Sequence, residues 1–139
     1  MKSGISNVIA ILAAGVLALP ISANAACNNA TLKGKFGVTV FGVNGTAEPF
    51  VHVNVARTAI FDGAGNFSGA GWESINGVTA KFSTSGTYEV DANCTVTITG
   101  TLSSGEPNTQ FGVIVSKGNK IFGVRTVVGT NESLIYERQ

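Results

Sequence analysis

Short stretches of alternating apolar and polar residues, separated by turn dipeptides, run through most of the chain. Over residues 35–43, Phe36, Val38 and Val40 alternate with Gly37, Thr39 and Phe41, and Asn44-Gly45 follows as a hairpin-type turn. Residues 50–61 place Val51, Val53, Val55, Ala59 and Phe61 on one face. Phe50, His52, Asn54, Ala56, Thr58 and Ile60 take the other. Asp62-Gly63-Ala64-Gly65-Asn66 reads as a tight turn, residues 67–75 as the next strand, and Asn76-Gly77 as a reversal. A long strand over residues 78–90 follows, with a bend or bulge expected at Ser83 to Gly86. Asp91-Ala92-Asn93 turns into residues 94–99, where Cys94, Val96 and Ile98 share a face and threonines line the solvated one. A polar loop at 103–108 precedes a hairpin of residues 109–116 and 121–128, and residues 133–138 form the last strand.

This pattern predicts about eight strands in an all-β meander, closed as a barrel or stacked as a sandwich. Gly37, Gly42, Gly69, Gly71, Gly112 and Gly123 recur inside strands. They weaken a flat sheet but permit the coiling of a small closed barrel. Closure also removes the exposed edges of a Val- and Thr-rich sheet. No fixed internal period points to a propeller or solenoid.

The first residues carry a different pattern. A short start containing Lys2 precedes an apolar run to Ile21, interrupted by Pro20 and followed by Ala23-Asn24-Ala25. That is the layout of a secretory signal peptide over residues 1–25, with cleavage after Ala25 and a single domain over 26–139. The interrupted run is short for a membrane anchor. Lipidation at Cys27 is the minor alternative, since Asn24 stands where a lipoprotein signal carries an aliphatic residue. The expected destination is periplasmic or extracellular. Cys27 and Cys94 are the two cysteines of the chain, and in an exported protein they predict one structural disulfide.

Charge adds mainly exclusions. The net charge is +1 and the charged residues are scattered. No basic patch suggests nucleic acid, and no amphipathic or polybasic segment suggests stable membrane binding. Two distant cysteines and one histidine make a poor metal set. The Asp62 to Asn66 turn has too few acidic ligands for a calcium loop. Its glycines are not followed by a helix and make no dinucleotide fingerprint, so no cofactor is expected. There is no Gly-x-Ser-x-Gly elbow and no credible triad.

Several landmarks together resemble a known group. They are Ala26-Cys27 with Ala30-Thr31-Leu32-Lys33-Gly34-Lys35-Phe36-Gly37, then Arg57 with Phe61-Asp62-Gly63-Ala64-Gly65-Asn66-Phe67-Ser68-Gly69, then Gly86-Thr87-Tyr88-Glu89-Val90 before Asn93-Cys94-Thr95, and the final Glu137-Arg138-Gln139. In this order they resemble exported bacterial proteins of the allene oxide cyclase barrel-like group, within the calycin and dirigent-like barrels. The resemblance implies a small closed eight-stranded antiparallel, up-and-down, calycin-like barrel. It implies no activity. The plant relatives act on, or steer, small hydrophobic or phenolic molecules in the barrel cavity, but no catalytic residue of theirs matches a position here.

His52 and Asn54 share a strand face and could anchor a pocket, while Trp72, Tyr88 and Arg125 could line a cavity mouth. For each, ordinary packing or solvation is the competing reading. Glu73 and Glu89 lie on different strands and would act as an acid–base pair only if both faced one cavity. The resulting expectation is a secreted, non-catalytic barrel that binds a small hydrophobic ligand or serves as an envelope or matrix component. One alternative is a cyclase- or dirigent-like enzyme for a small hydrophobic substrate. The other is an adhesive, self-associating subunit. The observation that separates them is which polar side chains enter the barrel.

Overall fold

The computed structural model describes residues 26–139; the expected signal peptide at 1–25 lies outside the described residues. Eight antiparallel strands follow one another around a closed barrel. They are β1 (Gly34–Asn44), β2 (Val51–Phe61), β3 (Asn66–Ile75), β4 (Val78–Val90), β5 (Thr95–Leu102), β6 (Pro107–Val115), β7 (Lys120–Arg125) and β8 (Thr130–Arg138). Each strand pairs with its sequence neighbours, and β8 returns to β1 from Phe36↔Arg138 to Asn44↔Thr130. The fold is therefore the all-β, eight-stranded, up-and-down closed barrel.

Residues 83–86 pair continuously with residues 67–70, so β4 has no bulge there. Strand β7 stops at Arg125 rather than continuing to Val128, because Thr130 N–H turns back to the Val127 carbonyl at 3.1 Å. Val128 is then almost fully exposed.

The barrel has two unlike halves. One end is filled by an aromatic cluster in which Phe61 meets Phe36 and Tyr88 edge-to-face, at centroid distances of 5.4 and 4.9 Å. Such pairs add to the large apolar area each ring buries. A 3-10 turn at Asn29–Leu32 closes this end, with Leu32 fully buried. Asn29 fastens the turn: its carbonyl accepts from Tyr88 Oη at 2.9 Å and its side chain accepts from Val90 N–H at 2.8 Å. Arg138 bonds the carbonyls of Lys33, Thr31 and Gly118 and lies over the Phe36 ring.

Cys27 and Cys94 form a disulfide, with Cα atoms 5.0 Å apart. It binds the start of the domain to the β4–β5 turn, not to the interior of a strand. Cys94 itself has a left-handed backbone, φ 64°, and precedes β5.

Candidate functional site

At the other end the strands stay apart around a cavity of about 40 Å³ that opens between the β1–β2, β3–β4, β5–β6 and β7–β8 loops. Every strand contributes to its wall: Val40 from β1, Val53, Val55 and Arg57 from β2, Glu73 from β3, and Phe82 from β4. Leu102 comes from β5, Asn108 and Gln110 from β6, Arg125 from β7, and Glu132 and Leu134 from β8. The inward position is set by parity. In β2, Val53, Arg57, Ala59 and Phe61 are all buried at alternate positions.

A chain of hydrogen bonds forms the polar layer between the two halves. Arg57 Nη2 donates to Tyr136 Oη at 2.9 Å, and Tyr136 Oη donates to Gln110 Oε1. Gln110 Nε2 donates to Asn108 Oδ1 at 2.6 Å, and Asn108 Nδ2 to Thr84 Oγ1 at 3.0 Å. All five residues are at most 7% exposed. Burial raises the Tyr136 pKa above the ordinary tyrosine range against the opposing pull of Arg57, so the hydroxyl stays a donor. Among the described residues Arg57 Nη1 has no partner, an arrangement that costs a buried donor about 1–3 kcal/mol or more.

Nearer the mouth, Arg125 Nη1 meets Glu132 Oε1 at 3.2 Å, and Nη2 donates to the Pro107 carbonyl at 2.8 Å. The Glu132 side chain is buried. Glu73 also faces inward and has no salt bridge among the described residues. Burial raises its pKa, with repulsion from Glu106 and Glu132 adding to the effect and Arg125 opposing it.

Of the residues singled out in the sequence, Arg125 enters this cavity. Tyr88 is inside the barrel but in the filled half, bonded to Asn29. His52, Asn54 and Trp72 are corrected to the outer wall, because each alternates with an inward neighbour: Val53 for the first two, Gly71 and Glu73 for the third. His52 serves through its backbone, which exchanges hydrogen bonds with Asn76 in the β3–β4 turn. Asn54 and Trp72 line a shallow outer groove with Phe41, and Lys81 Nζ covers the Trp72 ring at 5.2 Å. Glu89 is exposed and does not join Glu73.

The sequence reading missed Arg57, Asn108, Gln110 and Glu132 as interior groups. The available signal was parity: Arg57 occupies the same face as Val53, Val55, Ala59 and Phe61.

Among the described residues, no cluster of three or more His, Cys, Asp or Glu could hold a metal ion. No helix among them is long and apolar enough to cross a membrane. Comparison of the sequence with protein-family models and with curated proteins finds no match.

Proposed function

We propose that this protein is an exported, non-catalytic barrel that holds a small, largely apolar molecule, or the end of a longer one, in its open half. The observation that carries the reading is the asymmetry of the interior. One half is packed with aromatic rings and capped, whereas the other keeps a cavity with apolar walls and a few convergent polar groups. The small volume limits what enters fully to a few heavy atoms, with the remainder of a ligand lying against Phe82, Leu102 and Val53 toward the mouth. The disulfide fits an oxidising compartment, in keeping with a leader cleaved after Ala25. The resemblance to the allene oxide cyclase barrel-like group supports the same use of the barrel interior.

Native mass spectrometry of protein recovered from its own host tests this directly. The expected result is an additional small mass that is lost on denaturation. A spectrum of bare protein alone, with no small molecule taken up on subsequent exposure, would count against ligand binding.

A second reading, a cyclase-like enzyme, is favoured by one observation. Glu73 is a carboxyl group with a raised pKa at the mouth of a cavity that also holds Arg57 and Arg125. That reading requires chemical conversion of the bound molecule, and conversion that is lost in Glu73→Gln. Recovery of the bound molecule unchanged after prolonged incubation opposes it. Self-assembly by strand addition needs an unpaired edge, and the closed ladder of the described residues leaves none.

A further inference from the structure

We propose that Arg57 is an anion anchor and that the ligand of the open half is a small organic carboxylate. This rests on the ligand-binding reading above and adds the chemical class.

Arg57 is 7% exposed, and a guanidinium stays charged even when buried. Yet its observed partner is a neutral hydroxyl, that of Tyr136, and its Nη1 has no acceptor among the described residues. The salt bridges among the described residues join Lys120 to Glu137 and Arg125 to Glu132, and Arg57 belongs to neither. The carboxylate nearest in role, Glu132, is thus engaged by Arg125. Glu73 lines the same cavity but forms no salt bridge with either arginine among the described residues. Among the described residues, Arg57 is thus a buried guanidinium on the cavity wall with no carboxylate in salt-bridge contact. Burying an unmatched ion is costly, and an arriving anion removes that cost.

Shape and chemistry narrow the anion. A cavity of about 40 Å³ accommodates a carboxylate group or a water or two, but not a bulky phosphorylated headgroup. Gln110 and Asn108 each use one amide N–H within the buried chain and keep a second, so neutral donors line the same cavity as the guanidinium. One unmatched charge and two amide donors suit a monoanion with two oxygens. Val40, Val53, Val55 and Leu134 around them require that the rest of the molecule be apolar.

The test is calorimetric titration of the full chain, with its disulfide formed, against octanoate and benzoate and against the matched uncharged octan-1-ol and benzyl alcohol. At least one carboxylate is expected to bind about tenfold or more tightly than its alcohol, the scale of one charge-assisted hydrogen bond. Arg57→Gln should abolish that preference. Because a substitution at a buried arginine can impair folding, Gln110→Glu provides a second variant. It places a carboxylate within the same network and should remove the preference while keeping the side-chain shape. Equal binding of carboxylate and alcohol would overturn the anion assignment and leave the ligand-binding reading standing. Binding of none of the probes would overturn both. A carboxylate preference that survives both substitutions would place the anion site away from Arg57.

Discussion

Gly71 on β3 is the register partner of Arg57 on β2, and a Cβ at position 71 would fall 2.5 Å from both Cα and Cβ of Arg57. The missing side chain lets the two strands coil closely enough for the arginine to turn inward. Gly42 does the same for Glu132, whose Cα would lie 2.6 Å from a Cβ at position 42. Both buried charges are thus seated opposite an inward-facing glycine. Gly71→Ala is expected to destabilise the protein by about 1–3 kcal/mol, the usual cost of overpacking. Urea unfolding of the variant measures this, and an unchanged midpoint would mean that the contact is not restrictive.

Tyr136 joins the guanidinium to the amide chain, accepting from Arg57 and donating to Gln110. Tyr136→Phe leaves both partners buried and unpaired, and should cost about 1–3 kcal/mol. Tyr88→Phe breaks a single bond to the Asn29 carbonyl and should cost less, about 1 kcal/mol. Chemical denaturation of the two variants side by side gives the comparison. Equal losses would deny the buried chain its special role.

The disulfide spans a sequence separation of 67 residues. In the chain-entropy description, closing a loop of that length stabilises the fold by about 4 kcal/mol. Reduction, or the double substitution Cys27→Ser with Cys94→Ser, should lower the unfolding midpoint accordingly. The loss should begin at the capped end, where Leu32 and Asn29 depend on the anchored segment. Hydrogen exchange of the Val90 amide, which Asn29 holds, reports that opening.

Two carboxyl groups give stability opposite pH dependences. The side chain and backbone of Asn66, then the backbone of Ala64, donate to Asp62 and lower its pKa from 3.8 to about 2. Stability from this group is present above the unfolded value of 3.8 and is lost as pH falls through about 2. Asp62→Asn should flatten the profile in that window. Glu73, raised by burial, acts with the other sign: its contribution is full below 4.5 and is lost as pH rises through the folded value. Glu73→Gln should therefore be more stable than the parent at pH 7, and the difference should disappear below pH 4.5. A reversed order at pH 7 would contradict the environment assigned to Glu73.

The strands and turns were legible because alternation and turn chemistry are local. Residues 50–61 and 78–90 were placed within one residue of β2 and β4, since the Asp62-Gly63, Asn76-Gly77 and Asp91-Ala92-Asn93 turns adjoin them. The threonine face of β5 points outward as its neighbours Val96 and Ile98 require. The interior chemistry was harder to see. Arg57 and Glu132 interrupt apolar faces at the inward parity, and a charged residue there reads as a break in the pattern rather than as a buried group. What stabilises them lies on other strands: Tyr136 for Arg57 and Arg125 for Glu132. His52 and Trp72 drew attention by residue type, but the closed register turns both outward.

Methyl NMR during a titration with octanoate tests most directly whether the open half of the barrel holds a ligand. The expected result is saturable shifts of Val40, Val53, Leu102 and Leu134, which line the cavity, with Ile98 and Ile121 in the core and the exposed Val113 and Val124 unmoved. Shifts confined to Val113 and Val124, or no saturable shift at any of the cavity methyls, would contradict it.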